Sequence, residues 1–252
     1  MALQAASDAV SALTLDDEDV QRLSVEVAQQ SDRKHEVAPP DNSHAKRLAR
    51  LTDGHRKIDG HELDFKVYLS PTVNAFAIAD GTIRIYSGLM DMMTDGELVF
   101  VIGHEIGHVV ENHVKEKLRL AYAGSAVRKA VASQQNEAGD IARSAIGALT
   151  ENLLNAQFSQ QEEREADDFG VRFLKQKGHD IQPAISALMK LATLGGDHSF
   201  LSSHPAPAKR AERLQNNTLT SERVEDPSFL SRVVEWLKRH WPFKNDAGKN
   251  HA

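Results

Sequence analysis

Residues 104–108 read His104-Glu105-Ile106-Gly107-His108, and this string decides more about the chain than any other stretch. On an α-helix, positions four apart face the same way, so both imidazoles can reach one metal ion. Glu105 lies one residue round the turn, where it can touch a water on that ion without being a ligand. That spacing is the HExxH arrangement of zinc proteases. The flanking residues support a helix. Asp95 and Glu97 lie just upstream, where acids favour a helix N-terminus, and Leu98, Val99, Val101 and Ile102 supply apolar faces. A metal-binding helix over 94–118 is expected.

Composition narrows the chemistry. A chain of 252 residues with 40% hydrophobic and 26% charged residues can bury the core of one large domain. The net charge of −6 argues against nucleic acid as a partner. There is no cysteine, so disulfides and thiolate-held metals are excluded and any ligand set must come from His and carboxylate. No apolar run approaches the roughly 18 residues of a membrane span, and the N-terminus lacks the apolar region of a signal peptide. Met1-Ala2-Leu3, followed at once by polar sequence, reads as a start placed on a trimmed chain.

One group of zinc proteases takes its third ligand from a His six residues after the second, in HExxHxxGxxH. Glu111 and Val114 occupy the Gly and His positions of that pattern here, so it fails, and His113 is one residue out of register. His113 is therefore read as a helix-surface residue or as a support to a ligand. A thermolysin-like site instead takes a glutamate from a later helix, with an Asp one turn beyond it. Glu162-Glu163-Arg164-Glu165-Ala166-Asp167-Asp168 supplies that pattern. Glu163 and Asp167 share a face, so Glu163 can ligate while Asp167 accepts the second N–H of a ligand His. Glu162, Glu165 and Asp168 read as a solvated face.

Along the chain, helices are expected from about Asp16 to Gln30, from Ser43 to Arg56, over 119–160, over 161–177 ending at Gly178, and over 182–194 ending at Gly195-Gly196. Leu63 to Ser87 is strand-like: Phe65, Val67 and Leu69 alternate, as do Ile83 and Ile85, and Asp80-Gly81 between two runs signals a hairpin. The fold class expected is α+β and predominantly α-helical, a gluzincin-type zincin with a small β-sheet beside the HExxH helix. Three parts are expected: a polar helical segment over 1–46, a catalytic domain over 47–215, and a C-terminal amphipathic helix and tail over 216–252.

In combination these residues resemble the HtpX-like and YggG-like zinc metallopeptidases, metallopeptidase family forty-eight. The family pairs HExxH with a downstream ExxAD, matched by His104 to His108 and by Glu163 to Asp167. It carries an Asn-Ala-Phe-Ala strand ahead of the metal helix, matched by Asn74-Ala75-Phe76-Ala77, and a His-Pro with an Arg five residues on, matched by His204-Pro205 and Arg210. The run Ile85-Tyr86-Ser87-Gly88-Leu89-Met90-Asp91-Met92-Met93-Thr94-Asp95 is similar to the YggG-like branch of outer-membrane lipoprotein metalloproteases. The resemblance covers roughly residues 15–215. It implies protein quality control in the bacterial periplasm, with attachment to the outer membrane through a lipidated N-terminal cysteine missing from this chain.

The chemistry follows from the residues themselves. One Zn2+ per chain, held by His104, His108 and Glu163, keeps a fourth position for water and lowers that water's pKa to about 7. Glu105 takes its proton as the water attacks a peptide carbonyl and passes a proton to the leaving amine. His204 or Arg210 could donate to the developing oxyanion, the resemblance favouring a functional His204. Arg210 could equally pair with a buried acid. As a fourth ligand His204 would instead hold the enzyme latent, and the donor role is preferred. An unpaired edge at Asn74, Ala75, Phe76 and Ala77 would add an extended substrate to the sheet, which selects unfolded or misfolded proteins, though an interior strand fits equally well. Residues 119–158 read either as a lid or as a solvated helical hairpin.

Phe229 to Phe243 carries Phe229, Leu230, Val233, Val234, Trp236, Leu237 and Trp241 beside Arg232, Lys238 and Arg239. Such a helix docks its apolar side on the domain or lies on a membrane surface, and docking is expected, with peripheral membrane association as the alternative. The expected function is a zinc metalloendopeptidase. The rivals are a chaperone-like binding module with a latent zinc site and a metal-dependent hydrolase of non-peptide substrates. The sequence leaves the oligomeric state open.

Overall fold

The Asp16 carboxylate accepts a hydrogen bond from the Asp19 amide at 2.7 Å and starts the first helix, α1 (Asp17–Lys34). The computed structural model describes residues 15–124, 138–194 and 199–225. Helix α1 runs one turn beyond the Gln30 expected. Helix α2 (Ser43–Leu51), capped by Asn42, stops short of Arg56. The Thr52 N–H bonds back to Leu48, and Gly54 then turns the chain at φ 75°.

A short hairpin follows, β1 (Lys57–Ile58) with β2 (His61–Glu62), and then the sheet beside the site. That sheet contains β3 (Asp64–Tyr68), β4 (Ala75–Ala77) and β5 (Thr82–Tyr86) in the order β3-β5-β4. β4 and β5 are antiparallel through the Asp80-Gly81 turn, whereas β3 pairs with β5 in parallel. Gly81 is required twice over. Its φ is 88°, and a Cβ there would lie 1.9 Å from the Glu62 carbonyl oxygen. At the centre of β5, Arg84 is 1% exposed and donates to Asp32 (2.8 Å) on α1 and to Asp64 (2.9 Å) on β3. A buried guanidinium needs such partners, and these bind the N-terminal helix to the sheet.

Helix α3 (Ser87–Met92) leads into α4 (Asp95–Val110), which carries the HExxH string. Thr94 and Glu97 form a reciprocal capping box, and every residue from Gly96 to Val109 is buried. The helix expected over 94–118 breaks, however. Asn112 takes φ 62°, and a separate α5 (His113–Gly124) starts after it. The stretch expected as helix over 119–160 holds the end of α5 and then α6 (Ala138–Asn155). Residues 125–137, within the lid or hairpin reading, lie outside the described residues.

Ser159 and Glu162 form a second capping box that starts α7 (Gln160–Gln176), and Gly178 follows it at φ 82° as expected. Helix α8 (Gln182–Ala192) ends ahead of Gly195-Gly196, which lie outside the described residues. Then come α9 (Ser199–Ser203) and α10 (Pro207–Glu225).

Helix α4 is the spine. It crosses α7 through a seam of small residues: a Cβ on Gly103 would meet Gly170 Cα at 3.0 Å, and one on Gly170 would meet the Phe100 carbonyl at 3.0 Å. Strand β4 and helix α8 pack on other parts of α4. The fold is therefore α+β and mostly helical, with a small sheet beside the HExxH helix.

The chain divides into units Met1–Ala211 and Glu212–Ala252. The amphipathic stretch Phe229 to Phe243 and residues 1–14 lie outside the described residues. No described helix is long and apolar enough to cross a membrane.

Candidate metal centre

His104 and His108, one turn apart on α4, bring their Nε2 atoms to 3.1 Å from each other, with the rings nearly perpendicular. Because α7 lies close against α4, Glu163 reaches the same point. One of its oxygens is 3.7 Å from His104 Nε2 and the other 3.7 Å from His108 Nε2. A fourth side chain arrives from the end of α9. His204 Nδ1 lies 2.9 Å from Glu163 Oε1 and 3.2 Å from His104 Nε2. One potential ligand atom from each of these four buried residues falls within 4.8 Å of the others.

The far nitrogens of the two α4 imidazoles are both held by other groups. His104 Nδ1 is 3.1 Å from Asp167 Oδ1. Asp167 in turn accepts from Arg210 at 2.6 Å and 3.0 Å. His108 Nδ1 is 3.1 Å from His113 Nδ1, and His113 Nε2 is 2.9 Å from a Glu165 oxygen. A carboxylate only accepts, so His113 Nε2 donates to Glu165, and a neutral His113 then accepts from His108 Nδ1–H. Both His104 and His108 then present an Nε2 lone pair to the shared point.

Of the two readings of His113, the structure matches the support to a ligand. The break at Asn112 swings it back to 6% exposure against His108, and a continuous helix would have carried it off that face. Glu165, read as part of a solvated face, is its anchor.

Burial sets the charge states. It pushes the His104, His108 and His204 imidazoles below their usual range, reinforced by Arg210 at His104 and His204 and by the neighbouring imidazoles at His108. Neutral imidazoles are what ligation needs. Burial raises the Glu163 carboxyl, against the opposing pull of Arg210. Burial alone would raise Asp167 too, but Arg210 and His104 hold it well below the carboxylate range. Glu105 is pushed up to about 8 by burial and by Glu163. Its Oε1 has no hydrogen-bond partner, and its nearest cation-capable neighbour is His204 Nε2 at 3.6 Å.

The donor set suits a divalent metal. Glu163 Oε2 is buried without a hydrogen bond of proper geometry, its close contact being the Arg210 guanidinium. Two imidazole lone pairs and a carboxylate oxygen converge beside it with no thiolate, a combination matched to zinc.

A cleft opens beside this cluster, bordered by Phe76 and Ala77 of β4, Glu105 of α4, Val114 and Lys117 of α5, and Phe158. β4 is the end strand of its sheet order, Asn74 precedes it, and Phe76 and Ala77 are both 7% exposed. Phe158 stacks on the His108 ring at 3.7 Å, and the Lys117 ammonium sits 3.4 Å from the centre of its other face. Burial lowers the Lys117 pKa to about 8, against the pull of Glu105 and Glu163. Neither Phe158 nor Lys117 stood out in the sequence. Each is an isolated side chain whose neighbours come from distant segments. Arg210 does not border the cleft; it lies against Asp167 and Glu163.

Peptidase family M48 matches the chain over residues 42–218. The chain is 42% identical over 217 residues to the metalloprotease LoiP of Escherichia coli (strain K12), covering 85% of this chain and 86% of that protein. It is 36% identical over 219 residues to the metalloprotease YcaL of the same strain, covering 86% of each. It is also 30% identical over 174 residues to the beta-barrel assembly-enhancing protease of Yersinia pestis, covering 60% of this chain and 34% of that protein.

Proposed function

Because the chain belongs to peptidase family M48 and is a metalloendopeptidase, we propose that it uses one zinc ion, held by His104, His108 and Glu163, to cut unfolded or misfolded proteins. The observation that carries this reading is the convergence of these buried ligand atoms within 4.8 Å, with the Glu105 carboxyl, whose Oε1 has no hydrogen-bond partner, beside them. A zinc ion bound there would supply a Lewis acid toward a peptide carbonyl and lower the pKa of water to about 7.

The residues divide the remaining work. Glu105 takes a proton from the attacking water and delivers it to the leaving amine nitrogen. Asp167 keeps the His104 proton on Nδ1, and Arg210 keeps Asp167 ionised and in place. His113 does for His108 what Asp167 does for His104. His204, one of the four clustered ligand groups, is assigned the fourth-ligand role rather than the donor role expected from the sequence; its Nδ1 beside the other ligand atoms supports this, and its removal would open a position for water. Arg210 is assigned to positioning rather than to the oxyanion.

Substrate enters as an added strand along Asn74-Ala75-Phe76-Ala77. β4 supports this as the end strand next to the cleft, where backbone bonding would accept any unfolded sequence. Quality control in the bacterial periplasm, at the outer membrane, is the setting proposed. Likeness to a protease named for enhancing β-barrel assembly supports a role on incompletely assembled proteins.

The test is digestion of unfolded casein with and without a chelator, comparing wild type with Glu105→Gln. Chelator-sensitive cleavage that Glu105→Gln abolishes is expected. Casein bound but left uncut by the zinc-loaded wild type would favour the chaperone-like module with a latent site.

A further inference from the structure

Lys117 lines a cleft with mostly apolar walls, whose other polar side chains are Glu105, Ser203 and His204. It stands on α5, half-buried, with Val114 one turn before it and Leu153, Leu154 and Phe158 around the same opening. Its ammonium has three donors. Contact with the Phe158 ring satisfies none of them as a hydrogen bond, and among the described residues no carboxylate pairs with it. Glu105 and Glu163 attract it from a distance, but neither forms an ion pair with it. Phe158 is itself fixed, stacked on His108 and bonded through its backbone N–H to the Ser203 carbonyl at 3.0 Å. The long Lys117 side chain therefore ends at a rigid aromatic wall, in the cleft that the proposed general base also lines, with its donors left to water.

Lys117 is half-buried, so water still reaches its ammonium in the empty cleft; a bound segment that displaced that water would leave the ammonium costly unless the segment accepts from it. The geometry points to Lys117 as a specificity-determining residue that binds a carboxylate of the substrate, either an Asp or Glu side chain near the cut bond or the carboxyl terminus of the chain being cut. This rests on the peptidase reading of the site and adds to it a selection that strand addition cannot supply. Backbone pairing ignores side chains, whereas mostly apolar walls with the Lys117 ammonium at one side favour apolar segments that carry a single acid.

Binding separates this selection from turnover. The zinc-loaded, full-length Glu105→Gln protein is titrated with fluorescent apolar decapeptides. One pair carries Glu or Gln at a scanned position, and another carries a free or an amidated carboxyl terminus. Loss of one charge-assisted hydrogen bond should weaken binding about tenfold, so a Glu peptide should bind about tenfold more tightly than its Gln twin if the side chain is the source. If the carboxyl terminus is the source, the same ratio should appear between acid and amide. Adding Lys117→Met should abolish whichever preference is found, Lys117→Arg should retain it, and Lys117→Glu should reverse it toward Lys-containing peptides. Equal binding within both pairs, or a preference that survives Lys117→Met, overturns the proposal. Casein digestion by the wild type is scored separately, so failure of the peptidase reading would show there and leave the binding comparison intact.

Discussion

Gly107 lies directly against Ala166. A Cβ built on Gly107 would stand 3.0 Å from the Ala166 Cα and 2.9 Å from the Phe169 Cβ. Gly107 is the fourth residue of the HExxH string, and Ala166 sits three residues after Glu163. The closeness of α4 and α7 at this point is what lets a glutamate on one helix meet two imidazoles on the other.

Gly107→Val should therefore damage the metal site by separating the helices. Overpacking typically costs about 1–3 kcal/mol, more than the gain from removing a helix-interior glycine. Zinc affinity should fall along with the thermal midpoint. Gly147, with nothing within 4 Å of its Cβ position on α6, is the control, and Gly147→Ala should be neutral or mildly stabilising. Zinc titration and thermal unfolding of both variants check this. Unchanged zinc affinity in Gly107→Val would mean that the seam does not set the ligand geometry.

Arg210 and Asp167 form a buried ion pair at 2.6 Å beside His104. Arg210→Met leaves the fully buried Asp167 charge uncompensated and should destabilise the protein by about 3–5 kcal/mol in denaturant unfolding. Asp167→Ala removes the acceptor for His104 Nδ1 and should weaken zinc binding about 10–100-fold. Replacing both residues with apolar ones should recover part of the stability but not the zinc affinity. If zinc binding returns with stability, Asp167 does not orient His104.

The metal helix and the helix that meets it were legible because their chemistry is periodic. Positions 104 and 108, and 163 and 167, share faces in any helix. The Asp80-Gly81 hairpin was legible because a positive φ needs such residues. The parallel pairing of β3 with β5 was not, since two short runs 18 residues apart carry no mark of their relative direction. The break at Asn112 was missed because local apolar spacing continues through it; Asn tolerates the left-handed conformation, a weak signal beside Val109, Val110 and Val114. That one residue re-aims His113 onto His108 and turns α5 so that Lys117 faces the cleft.

Glu97 predicts a specific acid sensitivity. Its carboxylate accepts from the Thr94 amide at 2.7 Å and from Lys190 at 2.7 Å, with the Ser186 hydroxyl on its other oxygen. Burial alone would raise its pKa, but these donors lower it from 4.5 to about 2. A folded value below the unfolded one stabilises above pH 4.5, and this contribution is lost as pH falls from 4.5 toward 2. Glu97→Gln should cost on the order of 2 kcal/mol at neutral pH, with the gap closing across that window. Unfolding free energies of the two proteins between pH 7 and about pH 2.5 measure it. A gap that stays constant with pH would place the energy in packing rather than in the charge.

If His204 is a fourth ligand, its removal should turn a resting enzyme into an open one. Its Nδ1 lies with the atoms of His104, His108 and Glu163, while its Nε2 faces Glu105 at 3.6 Å. Side chains of one folded site cannot leave room for water at a position that an imidazole already fills. The segment carrying His204 is short: a five-residue helix before it, then Pro205, and Ala206 at φ 55°. A non-glycine residue at positive φ stores strain on the order of 1–3 kcal/mol, which a shift of this segment would release. His204→Ala should therefore raise the basal rate on casein several-fold while leaving one zinc per chain, since three ligands remain. The same protein should then show a lower KM for peptides, because the cleft no longer has to displace a side chain. Had His204 served only as a donor to the developing oxyanion, the substitution would instead lower turnover by about 10²–10³ with KM little changed. Steady-state kinetics with zinc content measured in parallel distinguish the two, and a fall in turnover at full zinc occupancy would reject the resting-ligand role.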